Sequence, residues 1–259
     1  MQYRILGKTG LKVSAVGFGG IPIQRIDERG TRALMERLVE KGVNYIDTAR
    51  GYTVSESYLG EALSGGLREK FILATKSMSR GYADMARDIG ISLSNLRTDY
   101  IDLYQLHNIK SDADFELAFS AEGAVAAIQD AIRAGKVGHL GATAHSVDSF
   151  ERLLSYPEIE TIMFPYNIVE SQGEALMERA AAQNVGVIAM KPLAGGNITD
   201  GTLAMRYILQ NKTCTLAIPG MATLEEIEQN TAAAEQDGPL TPEELAACEA
   251  IRAGLSGNF

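Results

Sequence analysis

The chain has 259 residues, 46% apolar and 22% charged, the balance of a folded globular protein rather than a disordered or fibrous one. Its net charge of −9 and the absence of any Lys/Arg run argue against a nucleic-acid partner. No stretch approaches the ~18 apolar residues of a membrane-spanning helix, and the two cysteines, Cys214 and Cys248, have neither disulfide-framework nor metal-ligand spacing, so a cytoplasmic protein with no membrane partner is expected.

The chain starts with "YRILGKTGLKVS" (3–14), two short strand patterns around a glycine turn, which predicts a hairpin under whatever follows. Eight apolar runs then recur: "AVGFGG" (15–20), "YIDT" (45–48), "FILATK" (71–76), "IDLYQLH" (101–107), "GHLGAT" (138–143), "TIMFPYN" (161–167), "VGVIAM" (185–190) and "TLAIPG" (215–220). Continuous apolar runs of this length suit strands of a parallel sheet buried on both faces.

Helical spacing appears between them, over 28–42, 55–63, 82–99, 122–136, 172–186 and 223–236. Ser55 and Glu56 form a helix-start signal. Gly135 in "AGK" and Gly186 in "NVG" fall where a left-handed residue ends a helix. The tail opens on Thr241 as N-cap and Pro242 at the first helical position. Successive strand ends lie roughly 22 to 37 residues apart, the spacing of βα units. Eight units predict an α/β fold, a (β/α)8 TIM barrel with an N-terminal β-hairpin, over 1–259 as one domain. An open doubly wound sheet is the alternative, but "GFGGIPIQ" does not complete its glycine-rich turn.

In such a barrel the working groups sit at the strands' C-terminal ends. Asp47, Lys76, His107 and Asn167 end runs there, Lys191 follows one, and Tyr52 lies on the loop after the second. A carboxylate can pair with the lysine of the next strand, and a lysine beside a phenol lowers its pKa. A phenol so tuned can donate a proton to a carbonyl oxygen, and a histidine can orient that oxygen. The hydride must come from a cofactor.

"YIDTARGY…SESYLGEAL", "FILATKS", "RTDYIDLYQLHN" and "GKVGHLGAT" resemble the aldo-keto reductase pattern, in order and spacing, over essentially the whole chain. The resemblance implies NAD(P)H-dependent interconversion of small carbonyl and alcohol substrates. Tyr52 would be the general acid, Lys76 and Asp47 would tune it, and His107 would place the carbonyl. It further implies cofactor contacts along Gly19 and Gly20, at Thr143 and Asn167, along Met190, Lys191, Pro192, Leu193, Gly195 and Gly196, and at Gly220, Met221, Glu226, Gln229 and Asn230.

Departures from the family pattern carry information. Thr143 and Ala144 stand where a Ser-Asn pair is usual, Asn167 where a Gln is usual, and Met190 where an aromatic usually stacks on the nicotinamide. Glu226 stands where an arginine would grip a 2′-phosphate. A carboxylate repels phosphate but accepts from a ribose hydroxyl, which favours NAD(H) over NADP(H). Relatives with "QLHN", "FPYNIVE" and "MKPLAGG" often continue past a "GNF" end into a cysteine-rich segment resembling an iron–sulfur domain. This chain stops at Phe259 without such cysteines, which leaves two expectations open: a natural short form, or a chain from which an iron–sulfur domain or redox partner is missing.

His145 also follows a strand but matches no catalytic position, so a polar rim or substrate contact is expected. Two other functions compete. Lys76 or Lys191 could form a Schiff base in a barrel lyase, which borohydride would trap. A cofactor-binding redox sensor would bind nucleotide tightly with little turnover.

Overall fold

The computed structural model describes residues 1–236 and 238–255; the "GNF" end lies outside them. The hairpin is β1 (Tyr3–Ile5) and β2 (Lys12–Ser14), paired antiparallel. Then come β3 (Phe18–Gly19), α1 (Glu28–Glu40), β4 (Tyr45–Asp47), α2 (Ser55–Ala62), β5 (Ile72–Ser77), α3 (Tyr82–Asn95) and β6 (Ile101–Leu106). The second half runs α4 (Asp112–Ala118), α5 (Ala124–Arg133), β7 (Val137–Thr143), α6 (Val147–Leu153), β8 (Thr161–Pro165), α7 (Glu174–Ala182) and β9 (Gly186–Met190). It ends with α8 (Gly201–Gln210), β10 (Leu216–Ala217), α9 (Leu224–Ala232) and α10 (Pro242–Leu255).

Strands β3 to β10 are parallel and ordered as in the sequence. The two outer strands meet. Val16 bridges Ala217, Gly19 bridges Gly220, and the Gly17 N–H donates to the Ala217 carbonyl at 2.8 Å. The sheet therefore curls onto itself as a TIM barrel, which removes the open-sheet alternative. All eight predicted runs are its strands.

Close packing at and beside the seam explains several glycines. A Cβ on Gly19 would lie 3.0 Å from the Ile218 and Pro219 carbonyls, one on Gly20 2.9 Å from the Asp47 carbonyl, and one on Gly220 2.7 Å from Pro22. At the other end, Leu6 and Val13 of the hairpin pack with Tyr45, Leu103, Ile188 and Leu216 inside the barrel, closing its floor. The larger apolar layer lies between sheet and helices.

Helix α2 starts at Ser55 with Glu56 in its first turn, as expected, and the Ser55 hydroxyl donates to the Gly20 carbonyl at 2.9 Å and contacts Thr48. Local expectations needed three corrections. Helix α3 ends at Asn95, with Arg97 at φ 50°. The left-handed residue after α7 is Asn184 (φ 55°), while Gly186 already belongs to β9, where a Cβ would strike Leu6. Helices α4, α6 and α8 add three elements not expected from periodicity.

Candidate active site

Parallel strands in one barrel send all their C-terminal ends to one mouth. Asp47 is the last residue of β4, Lys76 lies one residue before the end of β5, and His107 follows β6 directly. Tyr52 sits on the turn between β4 and α2. Its N–H donates to the Ala49 carbonyl at 3.0 Å, its carbonyl accepts from the Ser55 N–H at 2.7 Å, and Thr53 takes a left-handed φ of 37°.

Lys76 and Asp47 are both nearly fully buried and bonded to each other. Burying a charge pair is costly unless the remaining donors and acceptors are satisfied. Here Lys76 Nζ also donates to the Thr48 carbonyl at 2.8 Å, and Gln105 Nε2 donates to Asp47 Oδ1 at 3.1 Å. The ammonium lies 4.9 Å from the centre of the Tyr52 ring. The Tyr52 and His107 rings stand edge to face, 89° apart in plane, with centroids 6.1 Å apart.

Charge follows from these positions. Burial pushes the Tyr52 phenol above its ordinary 10.0, against the downward pull of Lys76. The lowering expected from Lys76 alone is thus outweighed, and Tyr52 holds its proton at neutral pH. Burial, then Lys76, His145 and Arg80, push His107 down to about 3, so its imidazole is neutral. Burial raises the Asp47 carboxyl against the pull of Lys76 and Gln105. The mouth therefore offers two uncharged proton donors beside one fixed cation.

The other expected contacts divide into three groups. Gly19 and Gly220 lie at the seam, Gly20 packs against the end of β4 and Ser55, Met221 is buried in the core, and Pro192 is buried beside half-buried Leu193. Thr143 Oγ1 accepts from the Asn108 N–H at 2.7 Å. Asn167 is saturated: its Nδ2 donates to Glu170 at 2.8 Å and to the Lys191 carbonyl at 2.9 Å, and its Oδ1 accepts from the Val169 and Glu170 N–H groups. Glu226 closes a capping box on α9, its Oε2 accepting from the Ala222 N–H at 2.6 Å and the Thr223 N–H at 3.1 Å.

The rest have fewer contacts of their own. Met190 is partly buried against the barrel interior. Lys191 is exposed at φ 54°, and its ammonium has no hydrogen-bond partner among the described residues. Ala194, Gly195 and Gly196 follow with φ 48°, 70° and 98°, the two glycines exposed. Gln229 is exposed, and among the described residues its side chain reaches Glu225 on its own helix, while its carbonyl accepts from Thr202. Asn230 is buried with Oδ1 lacking a partner among the described residues, against Gly201 at the start of α8. His145 keeps an exposed edge; the covered part of its ring, then Lys191 and Lys76 against the opposite pull of Glu170, hold its imidazole below the usual range, which puts it on the rim of this mouth.

Three supporting residues escaped sequence reasoning. Gln105 was legible only as a polar break inside an apolar run. Glu56, almost fully buried, accepts from Arg50, Thr75, Ser92 and Asn95. It thereby ties the Tyr52 turn to the strand of Lys76. Arg80 reaches the carbonyl of His107.

Comparison with known proteins agrees with the barrel fold. The model of the aldo/keto reductase family matches residues 15–202. L-galactose dehydrogenase of Arabidopsis thaliana is 28% identical over 90% of this chain and 88% of its own. Aldo-keto reductase YhdN of Bacillus subtilis is 27% identical over 81% and 67%, respectively. Among solved structures, the holo form of aldo-keto reductase AKR11C1 from Bacillus halodurans superposes with a TM-score of 0.85 at 26% identity, covering 97% of this chain and 96% of that one.

Proposed function

Because the chain belongs to the aldo/keto reductase family, a family of oxidoreductases that use NAD(P)H, we propose that it interconverts aldehydes or ketones with alcohols, Tyr52 supplying the proton. The observation that carries this is the perpendicular Tyr52–His107 pair set over the buried Lys76–Asp47 bridge. A carbonyl oxygen between the two rings would meet a phenol that keeps its proton and a neutral imidazole N–H. As negative charge builds on that oxygen, both donors shorten toward it. As the proton leaves Tyr52, the phenolate forms beside the Lys76 ammonium, which Asp47 holds in place. In the alcohol direction the same phenolate takes the proton back.

A bound nicotinamide dinucleotide supplies the hydride. The residues present fit such a group. The partnerless Asn230 Oδ1 and the Gln229 side chain suit an adenine, and Lys191 with the Gly195–Gly196 turn suits a diphosphate. Met190 supplies an adaptable apolar contact in place of an aromatic ring. Asn167, with its bonds filled, is assigned to shaping the loop before Lys191 rather than to holding a carboxamide. We assign NAD(H) as the preferred form. Glu226 caps α9, and a carboxylate at that place repels a 2′-phosphate.

A Schiff-base lyase is less well supported. The Lys76 ammonium is engaged by Asp47 and the Thr48 carbonyl rather than free to attack. The test is the rate of NADH and NADPH consumption, side by side, with one reactive generic aldehyde. Faster turnover of NADH is expected. Faster turnover of NADPH would keep the chemistry and retire the role of Glu226, and no turnover with either would contradict the reductase proposal.

A further inference from the structure

One guanidinium takes both carbonyls of the turn that follows β6. Arg80 Nη2 donates to the His107 carbonyl at 2.8 Å and to the Asn108 carbonyl at 3.0 Å. The turn needs holding. Asn108 has φ 52°, a left-handed conformation that is costly for a residue with a Cβ. Its N–H donates to Thr143 Oγ1, and the Ile109 N–H donates to the Thr143 carbonyl at 3.2 Å. From the other side, Arg80 Nε lies 3.4 Å from Asp114, whose carboxylate also accepts from the Lys110 and Ser111 N–H groups at the start of α4.

The clamp is anchored. The Arg80 carbonyl accepts from the Ala124 N–H at 2.7 Å, and Gly81 bridges Gly123. The side chain itself is only 10% exposed. Burying a guanidinium costs desolvation energy, and two converging carbonyls repay it only in part. The arrangement is explained by what the clamp orients. His107 Nδ1 is buried and has no partner among the described residues. Histidines that must present one nitrogen are usually aimed by a hydrogen bond to the other. Here that bond is missing, so the backbone must do the aiming.

We propose that Arg80 is a positioning residue: its grip on the 107 and 108 carbonyls aims the His107 imidazole across the mouth at the Tyr52 hydroxyl. The proposal deepens the reductase reading and rests on it for its kinetic consequence. Lysine is not an equivalent replacement: both bonds come from one planar Nη2, whose two N–H directions the guanidinium fixes, whereas an ammonium meets the carbonyls as a point charge on a flexible stem.

The experiment compares wild type with Arg80→Lys and Arg80→Ala. It measures kcat and KM for the aldehyde, cofactor affinity by fluorescence, the melting temperature, and the imidazole nitrogen signals of His107 by NMR without substrate. Misaiming a reacting group by about 1 Å costs up to roughly 100-fold in rate. We expect kcat of Arg80→Lys to fall at least tenfold, with cofactor affinity within about twofold. The His107 ring signals should broaden or split. If Arg80→Ala does not fold, Arg80→Lys decides. Unchanged His107 signals, or a kcat loss that only tracks loss of folded protein, would overturn the proposal. If the wild type shows no turnover, the reductase reading fails by itself, and the His107 signals alone judge Arg80.

Discussion

The Tyr52 ring meets the His107 ring edge to face, at 89° and 6.1 Å between centroids, with the Lys76 ammonium 4.9 Å from the centre of the Tyr52 ring. Two uncharged donors and one cation thus share the barrel mouth. The predictions below follow from how burial sets those charges.

The pH dependence should lack a histidine limb. His107 is held near 3, so kcat/KM should be flat from about pH 5 to 8 as far as His107 is concerned. Tyr52 is raised above 10.0, so the loss of its acidic form belongs above pH 10. Stability should behave differently. The unfolded His107 binds a proton below about 6.5 and the folded one does not, so folding loses stability as pH falls from 6.5 toward 3. Each pH unit in that window costs at most ~1.4 kcal/mol. Denaturant titrations of wild type and His107→Gln at pH 5 and 7.5 check this. An equal pH effect in both proteins would contradict it.

The Lys76–Asp47 bridge should matter more when halved than when removed. Lys76→Met leaves a buried carboxylate without its cation, a loss of about 3–5 kcal/mol. Lys76→Met combined with Asp47→Leu should recover much of that stability while remaining inactive. A double-mutant cycle with no coupling energy would contradict the assignment.

Much of this was legible in the sequence. All eight apolar runs are barrel strands, and strand ends alone singled out Asp47, Lys76 and His107. Most of what was missed has physical causes. Helices α4 and α6 have seven residues each, too short for a helical period, although Ser111 and Ser146 cap them. Helix α8 does carry an apolar face, with Leu203, Ala204 and Ile208 at helical spacing and Asp200 as its cap, and was missed although the sequence held its signal. The Tyr52 shift was misjudged because the sequence displays the charge of Lys76 but not the burial that outweighs it. Glycines 19, 20 and 220 were expected at the cofactor; the sequence could not show that each also packs too closely against its neighbours for a Cβ, Gly19 at the seam, Gly20 against Asp47 and Ser55, and Gly220 against Pro22.

Gly20→Ala tests that assignment. A Cβ there would press on the Asp47 carbonyl and Ser55 Oγ. It should cost about 1–3 kcal/mol in a denaturant titration. Cofactor affinity per folded molecule should stay unchanged. Wild-type stability with weakened cofactor binding would assign the glycine to the ligand instead.

Glu226→Ala separates two roles of one carboxylate. Loss of the capping box should cost about 0.5–2 kcal/mol. Loss of the charge should also narrow the preference for NADH over NADPH. A stability loss with an unchanged preference would leave Glu226 as a cap only.

The most direct test of the account is Tyr52→Phe, assayed for aldehyde reduction alongside cofactor binding. The phenol acts on the transition state, so its hydroxyl should matter to rate and not to ground-state cofactor affinity. The account predicts a rate loss of roughly 100- to 10,000-fold with nearly unchanged cofactor affinity. Retention of most of the activity by Tyr52→Phe would contradict it.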